Sequence, residues 1–285
     1  MRTYGAQTMI EPLRRVAVRP PDASFGSADP ATWHYAAAPD LDTARNEHAA
    51  LVRLLEDEGA EVIVHDVPLD GMADAMFTHD PVLVTDHGTV VLRMGKPLRR
   101  GEEAALAATL ERHGVPVAGR LTEPAIAEGG DLLWLGPDTL AVGLGFRTNT
   151  AAVDQLCAML PDVTLVPVPL PYGAGADACL HLMSLISLVD HDLAVVHLPL
   201  LPVPFYELLT AHGYRFVEVS AAEMATHGSN VLATAPGRCI MVEGNPVTAA
   251  ALEAAGCTVR TYPGAEITLK GEGGATCLTR PVLRG

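Results

Sequence analysis

A cysteine close to the end of the chain stands where a nucleophile could act. Cys277 follows the run Gly271-Glu-Gly-Gly-Ala-Thr, and glycines let the main chain and the thiol approach a ligand closely. The thiolate is the reactive form of cysteine, so a nucleophilic role requires a cation or a base nearby. From this context alone, Cys277 is as consistent with catalysis as with a small buried core residue.

The other four cysteines are expected to be buried structural residues: Cys157, Cys179, Cys239 and Cys257. No C-x-x-C pair occurs among the five, and their spacing gives no secreted disulfide framework. We therefore expect free thiols and a cytoplasmic protein.

Four further motifs carry polar residues at the predicted ends of strands. They are Phe77-Thr-His-Asp80, Glu128-Gly-Gly-Asp131, His181 within Ala178–Ser184, and Arg147-Thr-Asn149. Each has an ordinary explanation by itself, since Gly and Asp are common turn residues and a histidine in an apolar run is usually a core residue.

Taken together, the motifs supply the parts of a reaction. Cys277 is the candidate nucleophile, His181 the base, Glu128 the acid that orients it, and Asp80 a carboxylate for a cationic substrate. Metal binding is less favoured, because no H-x-x-x-H, H-x-H or paired cysteine occurs. No cofactor is expected, since no glycine-rich nucleotide motif follows a strand.

A pattern of helix, stop and strand, repeated five times, would position these residues. Apolar residues at three/four spacing predict helices over 44–58, 102–113, 150–160, 204–212 and 246–255. Hairpin-like pairs of β-rich segments lie between them, and residues 13–19 form an opening strand. The repeats predict one domain over residues 1–285, an α/β ring of five units whose strand ends face a common centre.

Residues 20–40 form a long segment rich in Pro, Asp, Ser, Gly and Ala, with three aromatic residues, Phe25, Trp33 and Tyr35. Long loops in compact domains are often functional lids. The alternative is an irregular segment that packs its aromatics on the body of the domain.

The composition excludes several kinds of partner. A formal net charge of −15 argues against nucleic acids and anionic membranes, which require a basic surface. The longest apolar stretch, near residues 180–203, is interrupted by Asp190, His191, Asp192 and prolines, so we expect no membrane span. The first fifteen residues lack the apolar core of a signal peptide. A homo-oligomer is compatible with the sequence.

With these motifs in view, the chain resembles the guanidine-modifying enzymes of the pentein fold: dimethylarginine dimethylaminohydrolases, arginine deiminases and amidinotransferases. The resemblance runs from about Leu13 to Arg284. It rests on an F-x-x-D motif, an E-G-G-D motif, the R-T-N and P-L-R-R of the dimethylarginine hydrolases, an L-H-L-x-S motif and a closing G-G-x-x-C. These lie at 77–80, 128–131, 147–149, 97–100, 180–184 and 273–277 respectively.

The resemblance implies an α/β-propeller of five ββαβ modules around a central channel. It also implies that Cys277 attacks the guanidinium carbon of a free arginine derivative, giving a thiouronium. His181, held by Glu128, would protonate the leaving nitrogen and then activate water. The substrate-binding residues would be Asp80, Phe77 and Asp131, with Arg147, in preference to Arg100, on the α-carboxylate.

Two departures from the family pattern bear on the substrate. Arginine deiminases carry H-L-D, whose Asp grips the guanidinium a second time, and here that position is Met183. His79 stands where relatives have Arg or Glu. Ser229-Asn230, Glu266 and Arg284 are closer to the deiminases. The expected product is citrulline with an amine, as in a dimethylargininase.

The alternatives are an arginine deiminase, which releases ammonia, and less favoured, an amidinotransferase or a pentein-fold binding protein without catalysis. Binding proteins of this fold lack a Cys–His–Glu set, so the presence of Cys277, His181 and Glu128 argues against that reading.

Overall fold

The computed structural model describes residues 2–176, 178 and 180–285; Cys179, predicted to be a buried structural thiol, lies outside the described residues. Fifteen strands are found in this part of the chain. They are β1 Leu13–Val18, β2 Glu61–Val64, β3 Val82–Thr85, β4 Gly88–Val91, β5 Val117–Arg120, β6 Leu132–Gly136, β7 Thr139–Leu144, β8 Thr164–Pro169, β9 Ile186–Asp190, β10 Leu193–Val196, β11 Arg215–Glu218, β12 Leu232–Ala235, β13 Arg238–Val242, β14 Thr258–Tyr262 and β15 Arg280–Arg284.

Nine α-helices accompany these strands in the same described ranges. They are α1 Ala23–Gly26, α2 Pro30–Trp33, α3 Leu41–Asp57, α4 Glu102–Arg112, α5 Thr150–Met159, α6 Leu182–Leu185, α7 Val203–Ala211, α8 Ala221–Met224 and α9 Pro246–Ala254. Short 3₁₀ turns cover Ala73–Met76, Pro97–Arg99, Gly129–Asp131 and Leu198–Leu200, and a π-helix covers Ala265–Lys270.

The described strands form five three-stranded sheets that share one plan. Each has an antiparallel hairpin and a third strand parallel to the hairpin's second strand, reached through a helix; β3–β4–α4–β5 is one such unit. In one sheet the hairpin partner comes from the other end of the chain, because β15 pairs antiparallel with β1. This pairing closes the set of five and confirms the predicted fold class of five ββαβ modules.

The hairpin strands and the third strands are buried to different degrees. Strands β3, β4 and β10 are buried at every residue, whereas the third strands β5 and β11 each contain two exposed residues. Strands buried on both faces read as continuous apolar runs, and those with one solvated face alternate.

The five long helices begin and end within a few residues of the predicted bounds. The largest difference is at α3, which starts three residues before the predicted Ala44, because the Asp40 carboxylate accepts a hydrogen bond from the amide of Thr43 and caps the helix. Its buried residues include Ala44, His48, Leu51 and Leu55, at the spacing of one helix face.

Residues 20–40 pack against the body of the domain. They contain α1 and α2, and Phe25, Trp33 and Tyr35 are all buried. The rings of Phe25 and Tyr35 lie 5.5 Å apart, and the Tyr35 hydroxyl donates to Asp74 at 2.7 Å. The structure thus has the aromatic packing of the second expectation, and it makes this segment a wall of the cavity described below.

The exposure of one cysteine differs from expectation. Cys239 and Cys257 are buried as predicted, but Cys157 is exposed on α5, because it lies away from the apolar face defined by Ala152 and Leu156.

Among the described residues no helix has the length and apolar character to cross a membrane.

Candidate active site

Polar residues from different modules meet in a cavity of about 160 Å³ at the entry ends of the inner strands. Asp80 lies just before β3, His181 before β9, Asn230 before β12 and Cys277 before β15. Equivalent positions in repeated modules point to the same centre, so residues up to two hundred positions apart share one wall. The structure therefore brings the predicted nucleophile, base and cation-binding carboxylate together.

The thiol of Cys277 is held but not ionised by its surroundings. Its Sγ accepts a hydrogen bond from the Asn230 side-chain amide at 3.2 Å. Burial, followed by the charge of Asp80, raises the pKa of Cys277 to about 11, although His181 and Asn230 act in the opposite direction. The thiolate consequently needs additional positive charge in the cavity to form near neutral pH.

His181 and Glu128 form a buried pair. The Nε2 atom of His181 lies 2.8 Å from a Glu128 carboxylate oxygen, and Nδ1 lies 4.0 Å from an Asp80 oxygen. Burial alone would raise the pKa of Glu128, but the hydrogen bond and charge of His181, with Arg147, hold it well below its usual value. An ionised Glu128 fixes the imidazole and favours its protonated form.

Asp80 is held rigidly at the cavity wall. One carboxylate oxygen accepts from the amide of Gly130 at 3.0 Å, and the other from the Arg99 guanidinium at 2.7 Å. Burial would raise the pKa of Asp80, yet the charges of Arg99 and His181 outweigh it and lower the pKa. The carboxylate is thereby kept ionised, as a partner for a cationic guanidinium.

Glycines 129 and 130 are explained by close packing in the turn that carries Glu128. A Cβ on Gly129 would lie 2.1 Å from the carbonyl oxygen of His79, and one on Gly130 would lie 2.3 Å from Nδ1 of His181. Any side chain here would push the imidazole or the backbone before Asp80 out of place. The Gly-Gly of the motif is thus a requirement of this packing.

The two neighbouring arginines have opposite environments, and the prediction for Arg100 does not fit. Arg100 is exposed, outside the cavity wall, and its Nε donates to the carbonyl of Met94. Arg99 is the buried one, paired with Asp80 and Glu102. The 3₁₀ turn Pro97–Arg99 directs the first arginine inward, a local geometry that the sequence P-L-R-R does not reveal.

Arg147 lies in the cavity wall, and its NH1 also pairs with Glu128 at 3.1 Å. Phe77 lines the cavity as well, with its ring against the glycine loop before Cys277: a Cβ on Gly273 would lie 2.3 Å from that ring.

Asp131 is not a substrate-binding residue in this geometry. It is fully buried behind the cavity, where its carboxylate accepts from the Thr148 hydroxyl at 2.6 Å and from the amide of Leu182 at 2.9 Å. Burial raises its pKa to about 6. Asp131 instead anchors the segment after His181, which corrects the prediction drawn from the family motif.

Met183 and His79, the two residues that depart from the family pattern, are both buried. Met183 is 4% exposed and packs in a hydrophobic core cluster, so its side chain does not open the cavity to a substituent. His79 is buried, with Nδ1 2.9 Å from the carbonyl of Thr279. Burial and the charge of Arg280 lower the pKa of His79 to about 3, so the ring is neutral.

Sequence reasoning missed a second charged pair in the wall. The Lys96 ammonium lies 2.6 Å from Asp74 and donates to the carbonyl of Trp33 at 3.2 Å. The amide of Lys96 also donates to Glu128 at 2.9 Å. Asp74 lies three residues before Phe77, as Phe77 lies three before Asp80, and this spacing was the available signal.

The cluster of Asp80, Glu128 and His181 has the donor types of a metal site. Asp80, Glu128 and His181 each offer an atom, all within 4.8 Å of one another. However, Arg99 and Arg147 already bind the two carboxylates, and their positive charges oppose a divalent cation. A planar monocation that hydrogen-bonds to the carboxylates fits this donor set better than a divalent metal ion does. That the site binds no metal stays a prediction.

Comparisons with known proteins agree with these motifs. The family model for eukaryotic N,N dimethylarginine dimethylhydrolase matches residues 33–284. YkgA of Bacillus subtilis (strain 168), an uncharacterised protein, is 30% identical over 243 residues, which span 85% of this chain and 81% of YkgA. An arginine deiminase of Listeria monocytogenes is 28% identical over 260 residues, 76% of this chain but 62% of the deiminase. The chain thus spans less than two thirds of such deiminases.

Solved structures share the fold over nearly the whole chain. A dimethylarginine dimethylaminohydrolase from Pseudomonas aeruginosa, in complex with citrulline, has a TM-score of 0.77 at 23% identity and covers 96% of this chain and 100% of its own. The N-terminal domain of a cyanobacterial arginine dihydrolase has a TM-score of 0.81 at 22% identity, covering 95% and 98%. The five-module architecture is therefore that of the pentein superfamily.

Proposed function

We propose, since this chain belongs to the N,N dimethylarginine dimethylhydrolase family, that it is a cysteine-dependent hydrolase of an N-ω-substituted free arginine. The products are citrulline and the corresponding amine. The observation that carries the proposal is the convergence of Cys277, the His181–Glu128 pair and Asp80 on one cavity. The family, like the arginine deiminases, acts on guanidino C–N bonds. That the substrate carries an N-ω-substituent is our proposal.

In the proposed first step the guanidinium lies against Asp80, which is ionised and fixed by Arg99 and Gly130. The positive charge of the guanidinium lowers the pKa of Cys277, because an adjacent cation favours the thiolate. The thiol releases its proton to solvent, and the thiolate sulfur attacks the central carbon. His181 gives a proton to the substituted nitrogen, the C–N bond breaks, and the amine leaves.

In the second step the carbon is bound to Cys277 as a thiouronium. His181, now neutral, takes a proton from water while the water oxygen attacks that carbon. The C–S bond breaks and the thiol is regenerated, so one water is consumed and a ureido product and an amine are formed. One residue acts as acid and then as base, a role for which histidine is suited.

Positive charge in the cavity wall supports a free amino acid as substrate. Arg147 and Lys96 bring positive charge to the cavity wall, where Lys96 is paired with Asp74. We assign Arg147 to the α-carboxylate, since bidentate pairing with a carboxylate is characteristic of guanidinium groups. We propose that residues 1–285 fold as one catalytic domain, and association into homo-oligomers stays a prediction.

Arginine deiminase is the second candidate, favoured by the identity to the Listeria enzyme. Against it, the position that would supply a second grip on the unsubstituted guanidinium is Met183, which is buried in the core. Incubation with arginine, monomethylarginine and dimethylarginine, with citrulline and the released amine or ammonia quantified, separates the two. A higher kcat/KM for plain arginine than for both methylated forms would overturn the substrate assignment.

A further inference from the structure

A second cavity, about 420 Å³ in volume, lies at the other end of the strands that carry the catalytic motifs. Asp86 follows β3, Pro137 follows β6 and His191 follows β9, and all three are in its wall. Asp80, the Gly129–Asp131 turn and His181 precede the same strands. The two cavities are therefore separated by the length of the inner strands.

The N-terminal segment of the chain is hydrogen-bonded across this second cavity. The Gln7 side chain donates to the carbonyl of Pro137 at 2.6 Å and accepts from the amide of Asp86 at 2.7 Å. Gly5 and β15 exchange backbone hydrogen bonds, from Gly5 to Val282 at 2.8 Å and from Arg284 to Gly5 at 2.9 Å. These bonds tie three elements together, so the wall is a built part of the fold.

Arg284 places a positive charge in this wall, and its guanidinium forms no direct ion pair with a carboxylate among the described residues. Its terminal nitrogens donate only to the carbonyls of Glu11 and Ala233, at 2.7 and 2.9 Å, and its Nε has no partner there. The residue is 7% exposed. Burial, and then the neighbouring Arg280, lower the pKa of Arg284 to about 9, although the charge of Glu11 acts in the opposite direction. A buried cation of this kind is stabilised by an anion.

A second unpartnered donor lies in the same wall. The indole of Trp134 is 2% exposed, and its Nε1–H has no hydrogen-bond acceptor in the described structure. Buried indole N–H groups usually find a partner. Two buried donors without acceptors, both on residues that line one cavity, call for a ligand that offers acceptor oxygens.

The remaining wall restricts the kind of anion. Met9, Ile10, Leu135 and Leu188 provide apolar surface, which suits a hydrocarbon body and cannot solvate a small polyanion. Glu11, also in the wall, would repel a second negative charge. We propose that this cavity binds a small monoanionic carboxylate with an apolar body, its carboxylate oxygens on Arg284 and on the indole N–H of Trp134, and its body against Leu135 and Leu188.

The test uses isovalerate as the probe and the uncharged, isosteric isovaleramide as its matched control. The chain has two tryptophans, Trp33 and Trp134, so in Trp33→Phe the intrinsic fluorescence reports on the second cavity alone. We expect isovalerate to change that fluorescence saturably, with one site per chain by calorimetry. Isovaleramide should bind about tenfold more weakly or worse, because it lacks the charge that pairs with the guanidinium.

Two variants distinguish this site from the catalytic cavity. Arg284→Met should weaken isovalerate binding by about tenfold or more, whereas Arg284→Lys, which keeps the charge, should lose less. Thr8→Phe, which places an aromatic ring in the cavity wall, should abolish binding and also serves if Arg284→Met does not fold. Equal binding of acid and amide, binding unchanged in Thr8→Phe, or no saturable signal with a folded chain would each overturn the proposal.

Discussion

The thiol of Cys277 shows at the scale of one residue how this site limits reactivity. Burial and the neighbouring Asp80 raise its pKa to about 11, and only part of this is offset by His181 and by the amide of Asn230. A free thiol in the resting site is protected from neutral electrophiles. A cation bound at Asp80 changes that balance, so in this account the substrate activates its own nucleophile.

Labelling should therefore depend on the charge of the reagent. We expect neutral iodoacetamide to label Cys277 slowly at neutral pH, with the rate rising as pH approaches about 11, where the thiolate forms. The cationic 2-chloroacetamidine should react well below that pH, because it binds Asp80 and lowers the thiol pKa. Asn230→Ala removes the hydrogen bond to sulfur and should move the iodoacetamide profile to higher pH.

Peptide mass spectrometry measures this site by site, and the exposed Cys157 provides the internal control. Cys157 should react with both reagents without this preference. Equal rates of the two reagents at Cys277 near neutral pH would contradict substrate-assisted activation.

Arg99 and Arg100 form a matched pair of neighbours for a test of Asp80. Arg99→Gln removes the charge that keeps Asp80 ionised, so kcat/KM should fall by about 100-fold, the scale of a lost charge-assisted contact. The acidic limb of the pH profile should move to higher pH, since the pKa of Asp80 rises. Arg100→Gln, at an exposed position, should stay within about threefold.

A rise in KM confined to Arg100→Gln would contradict this assignment and restore the role that the sequence suggested for Arg100. Circular dichroism and the melting temperature show whether each variant is folded, since Arg99 is also part of a buried ion-pair network.

The turn Gly129–Asp131 is the element that assembles the site. It follows Glu128, donates backbone hydrogen bonds to Asp80 from Gly129 and Gly130, and ends at the start of β6. Asp131 reaches across to the amide of Leu182, directly after His181. A single short turn thus fixes the relative positions of Glu128, Asp80 and His181, the three side chains that we propose act with Cys277.

A methyl group at Gly130 should separate catalysis from folding. Gly130→Ala places its Cβ 2.3 Å from Nδ1 of His181, so the imidazole must move, and we expect kcat to fall by about 100-fold as for a misplacement of about 1 Å. Gly136→Ala, at the other end of β6, meets nothing closer than 3.7 Å and should leave kcat unchanged. Steady-state kinetics on both variants decide; an unaffected Gly130→Ala would show that the ring is not held against this turn.

Asp131→Asn tests the anchoring role by its pH dependence. The folded pKa of Asp131, about 6, lies above its ordinary value of 3.8, so the folded state favours the protonated acid. The wild-type chain then loses stability as pH rises between these values, and Asp131→Asn does not. Its melting temperature relative to wild type should increase from pH 4 to pH 7 while KM is unchanged; a raised KM at constant stability would instead indicate substrate binding.

Helices and hairpins were predictable from sequence because their apolar spacing and glycine stops are local signals. The inward arginine of residues 97–100 and the anchoring role of Asp131 were not, because both depend on contacts with segments far along the chain. Motif likeness named Asp131 for the substrate, and only the bonds to Thr148 and Leu182 show that it faces away.

At the scale of the whole molecule, pairing of β15 with β1 explains how distant residues share one cavity. The last strand completes the first module, and Cys277 lies just before it, beside His79, whose amide donates to the carbonyl of Cys277 at 3.1 Å. The five-module repeat predicted that strand ends converge. It did not predict that one module is made from both ends of the chain, since no local pattern encodes that pairing.

The most direct test of the central claim is to trap the covalent intermediate. The enzyme is mixed with dimethylarginine, quenched in acid during turnover and digested, and the peptide that contains Cys277 is analysed by mass spectrometry while citrulline is quantified in parallel. Covalent catalysis by Cys277 predicts a substrate-derived thiouronium on this residue, citrulline formation at a matching rate, and neither in Cys277→Ser. Citrulline formation by folded Cys277→Ser would contradict it.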